Sequence, residues 1–446
     1  MDHLLIRGGL IVTYFYEDFD TVKIMEGDVL IEDGFITKIG KLSDHAAKAI
    51  DAHGKVILPG FINTHCHLLA ASLCKGLVEG HHLYGSVMTP KRRIAKLVHV
   101  ALSCLSQEEM EAVLQLAVME CISGGTTAVL DPCPIPACGP LIHLAALTGL
   151  RTHVAATRIT DDQVRQQKHE LWDLNESVEV WSQHHPVNPG GVEIWLGHQA
   201  SDICDQTVVR DIRDACSRLG MRMTLDVGQT AEEEEEFRQK FGVNLIEFLS
   251  KAGLLGPDVV LSHCTSMGEE RSRLEASGVH VVHCARSAVE NRSMIPFYPR
   301  YSAIPNVAAG TDYHSPGMLN ELRAIGLVGK MNTMGVEWTK ATDVFYAATV
   351  AGAKALGRED IGRVREGCRA DLILVDMEGF RLFPMTFPLM NVVYDGESSD
   401  IDTVIINGKV IKQDGRLLGI EEDSIVENAG DAIEKCWSRA RELGVL

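Results

Sequence analysis

Residues 59–68 read Pro59-Gly60-Phe61-Ile62-Asn63-Thr64-His65-Cys66-His67-Leu68, and the way this stretch ends decides the fold. After the turn at Pro59-Gly60, an apolar run expected as a strand over Phe61–His65 closes on two histidines. Residues i and i+2 of a strand share a face, so His65 and His67 point the same way and can bind one metal ion. Polar ligands at the C-terminal end of a short buried strand are the mark of a (β/α)8 barrel.

Seven further apolar runs follow at barrel spacing: Thr126–Leu130, His153–Ala156, Val192–Leu196, Met223–Val227, Val259–Ser262, His280–His283 and Val307–Gly310. Gln107–Ile122, Val209–Leu219 and Val243–Ala252 carry apolar residues at helical period between them. A TIM-type barrel is therefore expected over residues 59–356. Both ends of the chain have another texture, short β-rich runs broken by turns, as in Gly27–Ile31 and Phe35–Gly40 and again in Ala370–Asp376 and Val404–Val410. Neither end has enough strands to bury a face alone, so residues 1–58 and 357–419 are expected to join in one small composite β-sandwich domain. Residues 420–446 are expected as a C-terminal helical tail, and Glu232–Glu236 as a solvated helix start.

The chain has 446 residues, 46% hydrophobic and 23% charged, with mean hydropathy near zero, as in an ordinary globular protein. Its 42 basic and 61 acidic residues leave a net charge of −19, which repels phosphate backbones and anionic lipid, so neither nucleic acid nor a membrane is an expected partner. No apolar run approaches the ~20 residues of a span, and no basic, then apolar leader opens the chain. Twelve scattered cysteines lack the spacing of a disulfide framework. A cytoplasmic homo-oligomer, dimer or tetramer, acting on a small molecule is the expectation.

At the ends of the later strands stand His198, His263, His283 and Asp312, the last in Ala309-Gly310-Thr311-Asp312. Imidazoles and a carboxylate converging on one barrel mouth are the ligands a hydrolytic divalent metal needs. Tyr313 and His314 follow Asp312 directly and are expected to face the substrate. The histidines of Gly80-His81-His82-Leu83-Tyr84 are either substrate contacts or solvated.

The chain resembles the amidohydrolase superfamily, in the branch holding cytosine, guanine and S-adenosylhomocysteine deaminases and triazine chlorohydrolases. Residues 59–68 resemble its PGFxNxHxH opening, Gly124-Gly125-Thr126-Thr127 its GGTT strand, Leu261-Ser262-His263-Cys264 its sixth-strand histidine and Gly310-Thr311-Asp312 its last metal ligand. Ile361–Leu372 and Val404–Lys409 resemble its terminal β-domain. The resemblance implies one metal held by His65, His67, a strand-five group and Asp312, with His263 and Asp312 activating water and His198 contacting the substrate. The strand-five motif usually reads HxxE; here Leu225-Asp226-Val227-Gly228-Gln229 puts Asp226 in place of the histidine and Gln229 in place of the glutamate. Asp226 is then the fourth ligand. The expected cofactor is one divalent ion, zinc first, with iron, manganese or cobalt admitted by the added carboxylate. Gln229 is expected beside the substrate, where an amide cannot move a proton near neutral pH. Hydrolysis of a C–N bond in a cyclic, nitrogen-rich molecule is implied, deamination foremost. Cleavage of an amide, lactam or carbon–halogen bond is the alternative, and a metal-free binding protein a remoter one.

Overall fold

The computed structural model describes residues 3–14, 22–43, 46, 48–77, 90–157, 174–184, 191–199, 206–265, 270–291, 306–331 and 339–446. Eight parallel strands form the barrel in sequence order: β6 (Phe61–Asn63), β7 (Thr126–Pro134), β8 (Arg151–Thr157), β9 (Val192–Gln199), β10 (Met223–Val227), β11 (Val259–His263), β12 (His280–His283) and β13 (Val307–Ala309). All eight fall where the apolar runs put them. The first ends two residues before expectation, because His65 already belongs to the seam that closes the ring. There Thr64 N donates to Ala309 O (3.1 Å), Asp312 N to His65 O (3.0 Å) and His67 N to Asp312 O (3.1 Å). The first and last strands are thus stitched together by the residues singled out as ligands.

A glycine makes this seam possible, since a Cβ at Gly310 would lie 2.8 Å from both Cβ and O of His65; on the other side of β6, one at Gly60 would lie 2.2 Å from the Thr127 side chain of β7. Both positions need a bare backbone.

The second sheet has nine strands, in the order β17 (Arg416–Leu417), β16 (Lys409–Gln413), β15 (Ile401–Ile406), β14 (Leu372–Asp376), β5 (Lys55–Pro59), β1 (His3–Tyr14), β2 (Val22–Glu32) and β3 (Phe35–Gly40), with β4 (Lys48–Asp51) also on β1. The two ends of the chain meet where β5 pairs antiparallel with β14, from Lys55 opposite Asp376 to Pro59 opposite Leu372. Leu4, Ile6, Ile31 and Ile36 from one end pack with Leu372 and Leu374 from the other in a core separate from the barrel's. The turns between the β-rich runs predict an antiparallel sheet, but the sheet is mixed, because β4 and β5 cover successive parts of β1 in parallel. The turn through His53-Gly54 sends the chain onward along the same edge of β1 and does not reverse it into a hairpin.

The terminal helix Glu422–Glu442 buries Ile425, Ala429, Ala432, Cys436 and Ala440, a single stripe at helical period. Its Trp437 Nε1 donates to Leu73 O (2.9 Å), so the tail braces the short helix Leu68–Leu73 that follows the histidine pair. No helix among the described residues is long and apolar enough to cross a membrane.

Barrel and sheet are joined by a buried ion pair. Arg151, which opens β8, grips both carboxylate oxygens of Asp371; Asn407 N also donates to Asp371 Oδ1 (2.7 Å), and Gly60 N to Asp371 O (2.9 Å). Both side chains are at most 4% exposed. Asp371→Ala strands the guanidinium in the interior, which costs about 3–5 kcal/mol, and a lowered thermal midpoint is the expected readout. An unchanged midpoint would mean that the two bodies are joined elsewhere.

Candidate metal centre

His65 is fully buried, His67 lies at the barrel mouth, and β10, β11 and the turn after β13 bring Asp226, His263 and Asp312 to them. His67 Nε2 is 3.4 Å from Asp312 Oδ1; His65 Nε2 is 3.7 Å from the same oxygen and 3.6 Å from Asp226 Oδ1. Donor atoms of His65, His67 and Asp312 lie within 4.8 Å of one another, as do those of His65, Asp226 and His263. These separations exceed most direct hydrogen bonds, whereas ligand bonds of about 2.0–2.1 Å at tetrahedral angles put neighbouring donors about 3.4 Å apart. Both ring nitrogens of His65 are buried with no hydrogen-bond partner among the described residues. A buried imidazole with neither nitrogen satisfied, facing two carboxylates, fits a divalent cation and is hard to explain otherwise.

The electrostatics agree. Burial opposes ionisation of Asp312, but the neighbouring imidazoles, His65 first, outweigh it and hold the carboxyl well below the usual range. Asp226 is lowered in the same way, against burial, by His65, His263 and His67. Both acids are therefore anionic at neutral pH.

Asp312 is fixed from behind. Its Oδ2 accepts hydrogen bonds from Gln229 Nε2 (2.9 Å) and Ser287 Oγ (2.5 Å), leaving Oδ1 toward the two histidines. Gln229 Nε2 also lies 3.2 Å from Ser287 Oγ. Gln229 thus contacts the metal-side acid. His263 Nε2 stands 3.9 Å from Asp312 Oδ2. His263, Cys264 and Asp312 all have positive φ, at 73°, 49° and 55°, in a region that costs a non-glycine residue about 1–3 kcal/mol. Their hydrogen bonds across the barrel mouth, such as Cys264 N to Val227 O (2.8 Å), hold them there.

Tyr313 and His314 are stacked, with ring centroids 4.7 Å apart, and both reach Glu290: the Tyr313 hydroxyl donates to Oε2 (2.8 Å), and His314 Nε2 is 2.9 Å from it. Both are thereby bound to the helix Ala285–Glu290. His283 is buried at the end of β12, and burial pushes its imidazole down to about 4, so it is neutral. His198 lies on β9 with its backbone opposite Leu225; its side chain, like residues 80–84, lies outside the described residues. The Glu232–Glu236 run does start a helix, capped by Thr230, yet Glu234 is buried, accepting from Leu245 N (3.2 Å).

The sequence reading missed Ser287 and Asp131. Ser287 sits four residues past the end of β12 and carries no motif. Asp131 had a visible signal, a carboxylate interrupting the buried run of β7; its Oδ2 accepts from Leu68 N (3.0 Å), tethering the residue after the histidine pair, and burial pushes its pKa up to about 7.

A parallel barrel with this donor set at its C-terminal mouth defines a metal-assisted hydrolase. Residues 56–411 match the model of the amidohydrolase family, and the chain belongs to that family. Relatives along nearly the whole length are a 5'-deoxyadenosine deaminase of Methanosarcina mazei, 28% identical over 98% of this chain and 99% of its own, and a 5-methylthioadenosine/S-adenosylhomocysteine deaminase of Pyrococcus furiosus, 27% identical over 97% and 100%. Among solved structures, an adenosine deaminase from Xanthomonas campestris with bound zinc superposes with TM-score 0.84 at 22% identity, covering 98% of both chains. A zinc complex of atrazine chlorohydrolase from Arthrobacter aurescens gives 0.86 at 22% identity, covering 96% of this chain and all of that one. The protein is a hydrolase of carbon–nitrogen bonds other than peptide bonds.

Proposed function

We propose that the protein deaminates the purine ring of an adenosine-type nucleoside, replacing the exocyclic amine by oxygen from water. The observation that carries this is the meeting of His65, His67, Asp226, Asp312 and His263 at one barrel mouth, in a chain similar end to end to deaminases of that substrate class. The first four would hold the ion, zinc first, with Asp226 admitting iron, manganese or cobalt. When bound, the ion supplies an acidified water and an electrophile for the developing charge. Asp312 is held by Ser287 and Gln229 so that Oδ1 faces the donor set, and His263, 3.9 Å from Oδ2, orients the attacking oxygen and shares its proton with that carboxylate. Gln229 positions Asp312 and moves no proton. His198, Tyr313 and His314 contact the substrate at the rim.

A second reading rests on Gln229. With no acid at that position, a bond whose leaving group needs no proton there, carbon–halogen or lactam, is cleaved by the same groups. The deciding measurement is ammonia release from adenosine, 5'-deoxyadenosine and 5'-methylthioadenosine after loading with zinc, iron, manganese or cobalt in turn. Release from at least one nucleoside is expected. Silence on all of them, with chloride release from a chlorotriazine, establishes the second reading.

The chain divides, in this proposal, into the barrel over 59–356, one terminal domain from 1–58 and 357–419, and the tail 420–446. A reducing cytoplasm is its setting, because the eleven described cysteines are all free. A homo-oligomer is its form.

A further inference from the structure

Between β14 and the helix Pro388–Asp395 the chain reads Gly379-Phe380-Arg381-Leu382-Phe383-Pro384-Met385-Thr386-Phe387. This stretch and the start of the helix hold large apolar side chains in solvent: Phe380 is 109% exposed, Phe383 71%, Phe387 62%, Met390 53% and Met385 37%. Asn391 pins the segment to the helix by donating to Leu382 O (2.7 Å) and Pro384 O (2.9 Å). Phe387, Met390 and Tyr394 follow at i, i+3 and i+7, which makes one stripe.

The stripe continues onto the neighbouring helix Met318–Met331. Lys330 Nζ sits 3.9 Å from the centre of the Tyr394 ring, and a Cβ at Gly326 would lie 2.7 Å from that ring. Beside this joint Leu327 and Met331, one turn apart, are 52% and 81% exposed. Side chains of this size bury up to ~200 Å² each, so together they present roughly 900 Å² of apolar surface. The largest apolar patch on a monomer is usually ~300–600 Å², whereas each half of a standard protein interface is ~800 Å². The face is too large for a monomer and right for a dimer.

Charge selects the occupant. Arg381 already faces Glu397 (3.8 Å) and Asp400 (3.5 Å), Arg323 pairs with Glu397 (3.0 Å), and Lys330 donates to the Tyr394 hydroxyl (2.5 Å). The cations beside the patch are engaged, and with a net charge of −19 the chain has nothing to draw it to anionic lipid or nucleic acid. A neutral apolar face can meet its own copy about a two-fold axis without like-charge repulsion. We propose that this face, formed by residues 380–394 with Leu327 and Met331, is where two copies of the chain associate.

Sedimentation velocity across a hundredfold range of concentration tests it, on the wild type and on Phe383→Glu with Phe387→Glu. The wild type is expected to be a dimer and the double variant at least ~100-fold weaker in association, since a few central aromatic anchors carry most of the binding energy of an interface. Its circular dichroism and thermal midpoint should be unchanged at concentrations where both are monomeric, because both side chains stand in solvent there. Leu418→Glu, a change at an apolar residue 50% exposed outside the patch, should leave the dimer intact. Should the double variant misfold, hydrogen exchange of the wild type decides: residues 379–394 gain protection as concentration rises. A monomeric wild type, a double variant that assembles as tightly, unchanged exchange in 379–394, or a monomer whose patch binds phosphatidylcholine vesicles overturns the proposal.

Discussion

The double variant His65→Ala with His67→Ala is expected to take the metal content from about one ion per chain to background and to abolish hydrolysis with it. His65 supplies the one nitrogen that faces both Asp226 and Asp312, at 3.6 and 3.7 Å, and His67 approaches Asp312 more closely than any other imidazole in the set. Their removal leaves two carboxylates and His263, short of the four ligands of a tight site. Elemental analysis of protein purified in metal-supplemented buffer is the check. The fold should survive, because the closing bonds at the seam are made by backbone atoms of residues 64, 65 and 67. Unchanged metal in the double variant would place the ion elsewhere.

Gln229→Glu is expected to raise deamination of an adenosine-type substrate by ~100-fold, the usual worth of a well-placed general acid. The amide now donates to Asp312 Oδ2 from 2.9 Å. A carboxyl in its place meets a carboxylate, and two acids at that distance share one proton, so the newcomer is held protonated. A protonated acid is what a departing amine requires. The steady-state rate of ammonia release decides, measured at several pH values because the shared proton should introduce a basic limb where the new acid ionises. A fall in activity on the native substrate would instead support a leaving group that needs no proton.

The barrel was legible because each strand is a short apolar run ending in a polar residue, and the terminal sheet because neither β-rich end suffices alone. Asp226 was legible as a departure from a spacing, and the structure puts its Oδ1 3.6 Å from His65 Nε2. What surrounds Asp312 was not legible. Ser287 and Glu290 act through distances set by how a six-residue helix packs on the turn after β13, and nothing in Ala285-Arg286-Ser287-Ala288-Val289-Glu290 announces that packing. Gln229 was read as a loss, an absent acid. The hydrogen bond to Asp312 gives it a function of its own, which a pattern of residue types cannot contain. The parallel placement of β4 and β5 along β1 was hidden for a similar reason, since a turn's type does not reveal which neighbour the chain meets after it.

The pairing of β5 with β14 also dictates an order of events during synthesis. Residues 55–59 leave the ribosome with an open backbone edge, and their partners at 372–376 follow more than three hundred residues later. At ~5–20 residues per second that interval lasts roughly 15–60 s. An apolar strand with unpaired amides is an invitation to other nascent chains, so the first fifty-nine residues need shelter, from a chaperone or from the barrel assembling beside them. A message cut short anywhere before codon 372 therefore yields a protein that has lost its last strands and also cannot complete its first.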